Sequence, residues 1–529
     1  MKDGVLTTSL AALVSALSGI GLAQGTKTDW KPAWSAWEAG EIGRAEALAR
    51  DVLAAQPVSD EARHVLFLTA FVNGDYRGAL DHYQSINAGY RRLKELTAPV
   101  IEAYVHLGAV ADAVVFARSR HDVRAVTIQR LEEHARRPFG VDLSGVAVVP
   151  FVDAPLGEWL PAFKAEINGQ TLTAHVDTGG SFLHMGPDRA RALGIKTVRY
   201  GTDRAHLTLT RVGASYGVAE RFVLGDAVLR NVPVDVLDTL RGEGDLIIFG
   251  TNLLEQFLAT MDYPAHRLIL SKRGDLEAAA AHRAQLPAEA VNVPFHLWGS
   301  HQMFARGGLG PRNDLNWFVD SGLVSVHPDG RGGFRQASFT SSKRQFSEWG
   351  ISGTDIRRGH FESPAPLTLG PLVEENPLMV VGAAGDQSFG GVRIDGLISH
   401  AFLKRFVWTI DFDTREYRFA RQGGAVQARH TDQARAESRR GKSDHAPGFG
   451  RTDRADAGRG RAAAVAPAGV PGRPAGTRHI CRRHRVDACR GRVRSFWISG
   501  AARARWPWRW RPQSTEHTSA EQVDRPVRR

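Results

Sequence analysis

Between about residue 30 and residue 120 the apolar positions recur every three or four residues. The stretch is rich in Ala and Leu with few β-branched runs, so the spacing predicts helices. From about Val146 the pattern changes to short β-branched and aromatic runs broken by turn residues, which predicts strands. After Arg421 no apolar period survives, and residues 422–529, rich in Arg, Gly, Ala and Pro, are expected to be disordered. A separate apolar stretch covers residues 5–22. Gly21 and Ala23 are small enough for signal-peptidase cleavage after Ala23, so residues 1–23 read as a signal peptide and the protein as exported, periplasmic or secreted. The alternative for this stretch is a helix that caps the next domain. No later apolar run approaches the roughly 20 residues needed to span a bilayer.

The helical part, residues 28–137, carries a fixed period. Gly40, Gly74 and Gly108 recur every 34 residues, and so do Ala45, Ala79 and Ala113. Glycine permits a turn or a tight helix crossing, and alanine lets neighbouring helices approach. Pro57 and Pro99 sit where one helix ends and another starts. The period and these residues resemble a short tetratricopeptide array. Two roles stay open: a groove for a protein partner, or a helical spacer packed on the next domain.

Charge changes the picture only locally. The formal net charge is +12, but residues 422–529 hold 24 Lys and Arg against 9 Asp and Glu, leaving the rest slightly acidic. A nucleic-acid partner would therefore rest on the tail alone and is not expected. The tail begins so abruptly that a shifted reading frame in a GC-rich gene would account for it. Both cysteines, Cys481 and Cys489, lie there, so the body has no disulfide and no thiol nucleophile. The 20 His form no HExxH pattern, and there is no GxxxxGK[ST] loop, so neither a metal, a nucleotide nor any other cofactor is indicated.

The β part repeats itself. Val149-Pro150-Phe151 leads to Val176-Asp177-Thr178-Gly179-Gly180-Ser181, and Val293-Pro294-Phe295 leads to Val319-Asp320-Ser321-Gly322-Leu323. The interval from Pro to Asp is 27 residues in the first and 26 in the second. Downstream, an apolar run closes on Gly250 in one and on Ser399 in the other. Seven residues then lead to Phe257 or Phe406, and five more to Asp262 or Asp411. Asn168-Gly169 is a hairpin signal, since both residues tolerate positive φ. Asp262 and Asp411 each precede an aromatic and read as ladder-end residues.

Two Asp-Thr/Ser-Gly loops at matching places in two matching repeats resemble the pepsin/retropepsin-type aspartyl protease family, in its bacterial branch with two lobes fused. The resemblance covers residues 146–421. It implies a multidomain α plus all-β chain: the helical repeat, then retropepsin-like β-barrel lobes at 145–273 and 291–421, then the tail. It also implies an aspartic-type endopeptidase acting on polypeptides, with Asp177 and Asp320 as the catalytic pair. Two close carboxyls cannot both ionise, so one would activate a water while the other donates a proton to the substrate carbonyl. Thr178 and Ser321 would reach into each other's loops, Gly179 and Gly322 would allow close approach, and Ser181 would donate to Asp177. Gly250 and Ser399 would pack behind the loops. A flap is expected at residues 208–218, with Gly213 and Gly217 flanking Tyr216, although an ordinary surface hairpin fits equally; residues 350–361 are too polar to assign. A chain with both loops needs no dimer, so a monomer is expected. Leu323 and Ser399 depart from the first repeat, which leaves open an inactive peptide-binding or scaffold protein using the same cleft.

Overall fold

A computed structural model describes residues 29–204, 211–240, 246–323, 326–328, 331, 334–342, 360–381 and 387–421. The expected signal peptide, the tail, and the flap segments 208–210 and 350–359 lie outside the described residues. No described helix is long and apolar enough to cross a membrane.

The helical part contains α1 (Lys31–Glu38), α2 (Ile42–Ala55), α3 (Asp60–Val72), α4 (Tyr76–Gln84), α5 (Thr97–His106), α6 (Val110–Ser119) and α7 (Ala125–Arg136). The periodic glycines have a backbone reason. Gly40, Gly74 and Gly108 end α1, α3 and α5 with φ of 75°, 83° and 71°, a left-handed turn that a Cβ would strain. Ala45, Ala79 and Ala113 follow in the second helix of each pair, and all three are completely buried. Side-chain caps start two helices: Ser59 accepts from Ala62 N–H and Asp75 from Gly78 N–H.

The apolar face of these helices is not free. Trp37, Phe67 and Phe71 share one core with Phe304, Phe318, Leu323, Phe389, Val392 and Leu397 from the second β region. Trp37 Nε1 donates to the Gly390 carbonyl at 2.9 Å. The Ala39 carbonyl, just past the C-terminal end of α1, accepts from Asn316 Nδ2 at 3.0 Å and from Arg306 Nη1 at 2.9 Å. Asn316 lies on the strand that leads to Asp320.

Both β regions present their Asp loop in the same way. Ala162–Ile167 and Gln170–Val176 form a hairpin across Asn168 and Gly169, whose φ values are 50° and 83°. Gln170–Val176 then pairs in parallel with Ile247–Phe249. In the second region Gln302–Leu309 pairs with Arg312–Val319, which runs parallel to Gly396–Ile398. Each parallel partner leads into a four-residue helix, Thr251–Leu254 or His400–Leu403, capped by Gly250 or Ser399 in the same extended conformation.

The regions join through a continuous antiparallel sheet. Its order is Val146–Pro150, Arg267–Lys272, Phe257–Asp262, Val407–Asp411, Glu416–Ala420, Val291–Trp298, three strands from each region. At the seam Thr260 faces Thr409, and their hydroxyls lie 2.7 Å apart. Asp262 and Asp411 close turns: Asp262 accepts from Ala265 N–H and Arg267, and Asp411 from Asp413 N–H and Thr414 N–H.

Candidate active site

The two Asp loops meet. Each hangs from its strand by the same backbone bond, Asp177 N–H to the Phe249 carbonyl at 3.0 Å and Asp320 N–H to the Ile398 carbonyl at 2.9 Å. Between them runs a reciprocal pair: Thr178 N–H donates to Ser321 Oγ at 3.0 Å, and Ser321 N–H donates to Thr178 Oγ1 at 2.9 Å. Thr178 Oγ1 in turn donates to the Val319 carbonyl at 3.2 Å. Each hydroxyl thus satisfies a buried N–H of the opposite loop, which ties the two loops to one geometry.

The glycines are required by contact. A Cβ at Gly179 would stand 2.5 Å from the carboxyl atoms of Asp320, and one at Gly322 would fall inside the carboxyl of Asp177. Each carboxyl therefore lies over the glycine of the other loop, and the two come within hydrogen-bonding reach of each other. Asp177 Oδ1 accepts from Gly179 N–H at 2.7 Å, and Asp320 Oδ1 from Gly322 N–H at 3.0 Å. Neither Oδ2 receives a hydrogen bond from the described residues, and both carboxyls are completely buried.

Burial, joined by the charge of Asp320, pushes Asp177 well above the usual carboxylate range. Burial also raises Asp320, while the bonds from the Asp177 carboxyl and Gly322 N–H moderate it. Two buried carboxyls this close hold a single proton between them.

Gly250 packs behind the first loop. A Cβ there would strike the backbone of Gly180 and Ser181, and Gly250 N–H donates to the Phe182 carbonyl at 2.8 Å. Ser399 fills the equivalent place with a hydroxyl that donates to the Ala337 carbonyl and accepts from Ala401 N–H. The crowding that a side chain at this position would cause in the first loop does not arise in the second.

Ser181 does not serve Asp177. Its hydroxyl donates to Oδ2 of the buried Asp235 carboxyl at 3.0 Å, on the strand that pairs with Leu183–Met185. Ser181 N–H donates to His184 Nε2 at 3.0 Å. Asp235 also faces Arg130 of α7 at 3.5 Å. Burial would raise the Asp235 carboxyl, but Arg130, His184 and the Ser181 hydroxyl together hold it below its ordinary value.

Gly213 and Gly217 are not at a hairpin tip. They lie inside the strand Arg211–Leu224, opposite Thr202 and Thr197 of Thr197–Arg204. A Cβ at Gly213 would strike Asp238 and Arg199, and one at Gly217 would strike Ile195, so local packing explains both glycines. The connection at 205–210 lies outside the described residues. Tyr216, nearly buried, is the cross-strand neighbour of Asp235.

Sequence reading missed Thr251, whose hydroxyl donates to the Thr178 carbonyl at 2.8 Å. Its place directly after Gly250 was the available signal. It also missed Arg130, His184 and Asp235, which carry no motif and meet only in the fold. Leu323, read as a departure, packs into the core shared with the helices. Among the described residues no cluster of His, Cys, Asp or Glu could hold a metal ion.

An aspartyl protease family model matches residues 163–253, which include Asp177 and Gly250. This supports an aspartyl protease family for that part of the chain. A crystal structure of a retropepsin-like aspartic protease from Rickettsia conorii is similar over 25% of this chain and 92% of that one, at 22% identity and a TM-score of 0.17. No curated protein matches the chain.

Proposed function

We propose that the chain is an aspartic-type peptidase whose Asp177 and Asp320, one from each of two lobes at 145–273 and 291–421, activate a water against a peptide bond. The observation that carries this is the reciprocal Thr178–Ser321 pair, which brings two buried carboxyls side by side. The two Oδ2 atoms, which receive no hydrogen bond among the described residues, are the acceptors such a water would use. The ionised member of the pair takes the proton of the water. The protonated member gives its proton to the carbonyl oxygen of the substrate. The Gly179 and Gly322 N–H groups hold the inner oxygens while charge moves between the outer ones. Because both carboxyls are buried, a substrate reaches them only after an opening movement.

The test is hydrolysis of a denatured protein with and without a pepstatin-type inhibitor, comparing the native chain with Asp177→Asn and Asp320→Asn. Each variant is expected to lose activity by about a thousand-fold or more. Hydrolysis that persists in Asp177→Asn would overturn the reading. Complete burial of both carboxyls and the apolar Leu323 in the second loop favour a second reading, an inactive protein that holds peptides without cutting them. Saturable inhibitor binding with no hydrolysis at any pH would select it.

The helix pairs with glycines every 34 residues support a tetratricopeptide-like array. Its shared core with the second β region favours the spacer role over a groove for a protein partner. Export, with cleavage after Ala23, belongs to the same proposal and is checked by the N-terminal sequence of the mature protein.

A further inference from the structure

We propose that His106, with a proton on both ring nitrogens, is an ionic clasp that fastens the helical part to both β regions, and that this docking loosens when the ring gives one proton up. The proposal goes beyond the peptidase reading and does not depend on it.

His106 is the last residue of α5, and its ring is pinned on both edges. Nε2 stands 3.1 Å from the Gly299 carbonyl, just past the strand Val291–Trp298 of the second β region. Nδ1 stands 3.2 Å from Glu255 Oε1, at the end of the short helix Thr251–Leu254 of the first. A carbonyl oxygen has no proton to give, so Nε2 carries a hydrogen. A neutral ring would then turn the bare lone pair of Nδ1 toward a carboxylate, which repels it. Contact on both edges requires the imidazolium. The two side chains are 5% and 6% exposed, so little water reaches the pair.

The surroundings favour that charge. Tyr76 of α4 lies parallel to the imidazole, with ring centroids 4.4 Å apart. Its hydroxyl accepts from Arg415 Nη2 at 2.8 Å, in the turn between Val407–Asp411 and Glu416–Ala420. The Arg415 guanidinium covers Gly74, where a Cβ would stand 2.6 Å from it. Arg273 lies 3.7 Å from Glu255, beyond the strand Arg267–Lys272. Burial would raise Glu255, but His106, Arg415 and Arg273 hold it below its ordinary value, so it stays ionised. Burial also works against a charge on His106. The Glu255 carboxylate and the bonds to Glu255 and Gly299 outweigh it, against the opposing charge of Arg415, and raise the affinity of the ring for its second proton. Glu102, one turn earlier on α5, packs over Gly299; burial, opposed by His106, pushes it up to about 7.

The share of stability from His106 is full below the ordinary 6.5 and is lost as pH rises through the higher folded value. The share from Glu255 is present above 4.5 and is lost as pH falls through its lower folded value. Docking is therefore firmest in mild acid, between 4.5 and 6.5, and weakens past neutrality.

The experiment follows the full chain carrying nitrogen-labelled histidine by NMR against pH, alongside the hydrogen-exchange protection factors of residues 97–106 and 251–255. Both His106 nitrogens are expected to carry hydrogen at pH 6, with a midpoint above 6.5. Protection of both segments is expected to fall about ten-fold between pH 6 and pH 9. His106→Gln keeps a donor for the Gly299 carbonyl but no charge, and is expected to show the low protection at both pH values. Glu255→Gln carries the test if that variant does not fold; it is expected to lower the His106 midpoint and flatten the protection profile. Glu102→Gln removes the other group that titrates in this range and is expected to keep most of the fall. A His106 ring that is neutral at pH 6, protection that stays level in the native chain, or a fall that persists in His106→Gln overturns the proposal. None of these readouts uses hydrolysis, so failure of the peptidase reading leaves them standing.

Discussion

The two Asp loops share a hydrogen-bonded heart and differ in how they are anchored. The first loop is held from outside by polar groups: Thr251 on the Thr178 carbonyl, and Asp235 with Arg130 on Ser181. The second is held by an apolar side chain, Leu323, sunk into the core that the helices share with the second β region, with Asn316 bonded to Ala39 on the strand above. A duplicated motif can therefore keep its reacting pair while its two copies answer to different neighbours. The first anchor responds to charge and pH, and the second responds to packing.

That contrast can be broken at several points. Leu323→Ala should cost about 3 kcal/mol in chemical denaturation at any pH by opening a cavity in the shared core, whereas Arg130→Gln, which leaves the buried Asp235 carboxylate without its cation, should cost about 3 kcal/mol at pH 7 and less as Asp235 takes up a proton in acid. A cost of Arg130→Gln that does not change with pH would remove the distinction. Gly250→Ala should destabilise by about 2–3 kcal/mol, because the new Cβ meets backbone that cannot yield; Ser399→Ala should cost only about 1 kcal/mol for one lost hydroxyl bond. Thr178→Val and Ser321→Ala each strand a buried N–H and should cost about 2 kcal/mol, with the double variant costing less than the sum. Strict additivity would mean that the two bonds do not act as a unit.

The smallest effect concerns pH. Asp177 is raised above its ordinary 3.8 in the fold, so its contribution to stability is full below that value and is lost as pH rises through the folded one. Asp177→Asn removes this loss and should be more stable than the native chain at pH 7, with no gain at pH 3. Thermal melts at the two pH values check it; a variant that is less stable at pH 7 would mean that the buried pair carries no strain.

Local backbone demands were legible in the sequence. Gly40, Gly74 and Gly108 each need a left-handed turn, and Asn168-Gly169 needs two such residues in a row, so spacing and residue type were enough to find them. The Asp-Thr/Ser-Gly loops were legible because a close approach leaves its mark on both sides at once. Long-range competition was not. Ser181 looked like a donor to Asp177 because Asp235 lies 54 residues away with no motif around it. Leu323 looked like a defect because its partners in the helices precede it by more than 200 residues. Gly213 and Gly217 looked like a mobile tip, although bulky neighbours across the sheet had already claimed their side-chain space.

The shared core also has a consequence for synthesis. From Ala103, the last helical residue in that core, to Phe304, the first from the β regions, the ribosome adds 201 residues. At ribosomal speeds that takes on the order of 10–40 s. For that interval the rings of Trp37, Phe67 and Phe71 lack their final cover, so the nascent chain is a natural client for a holding chaperone.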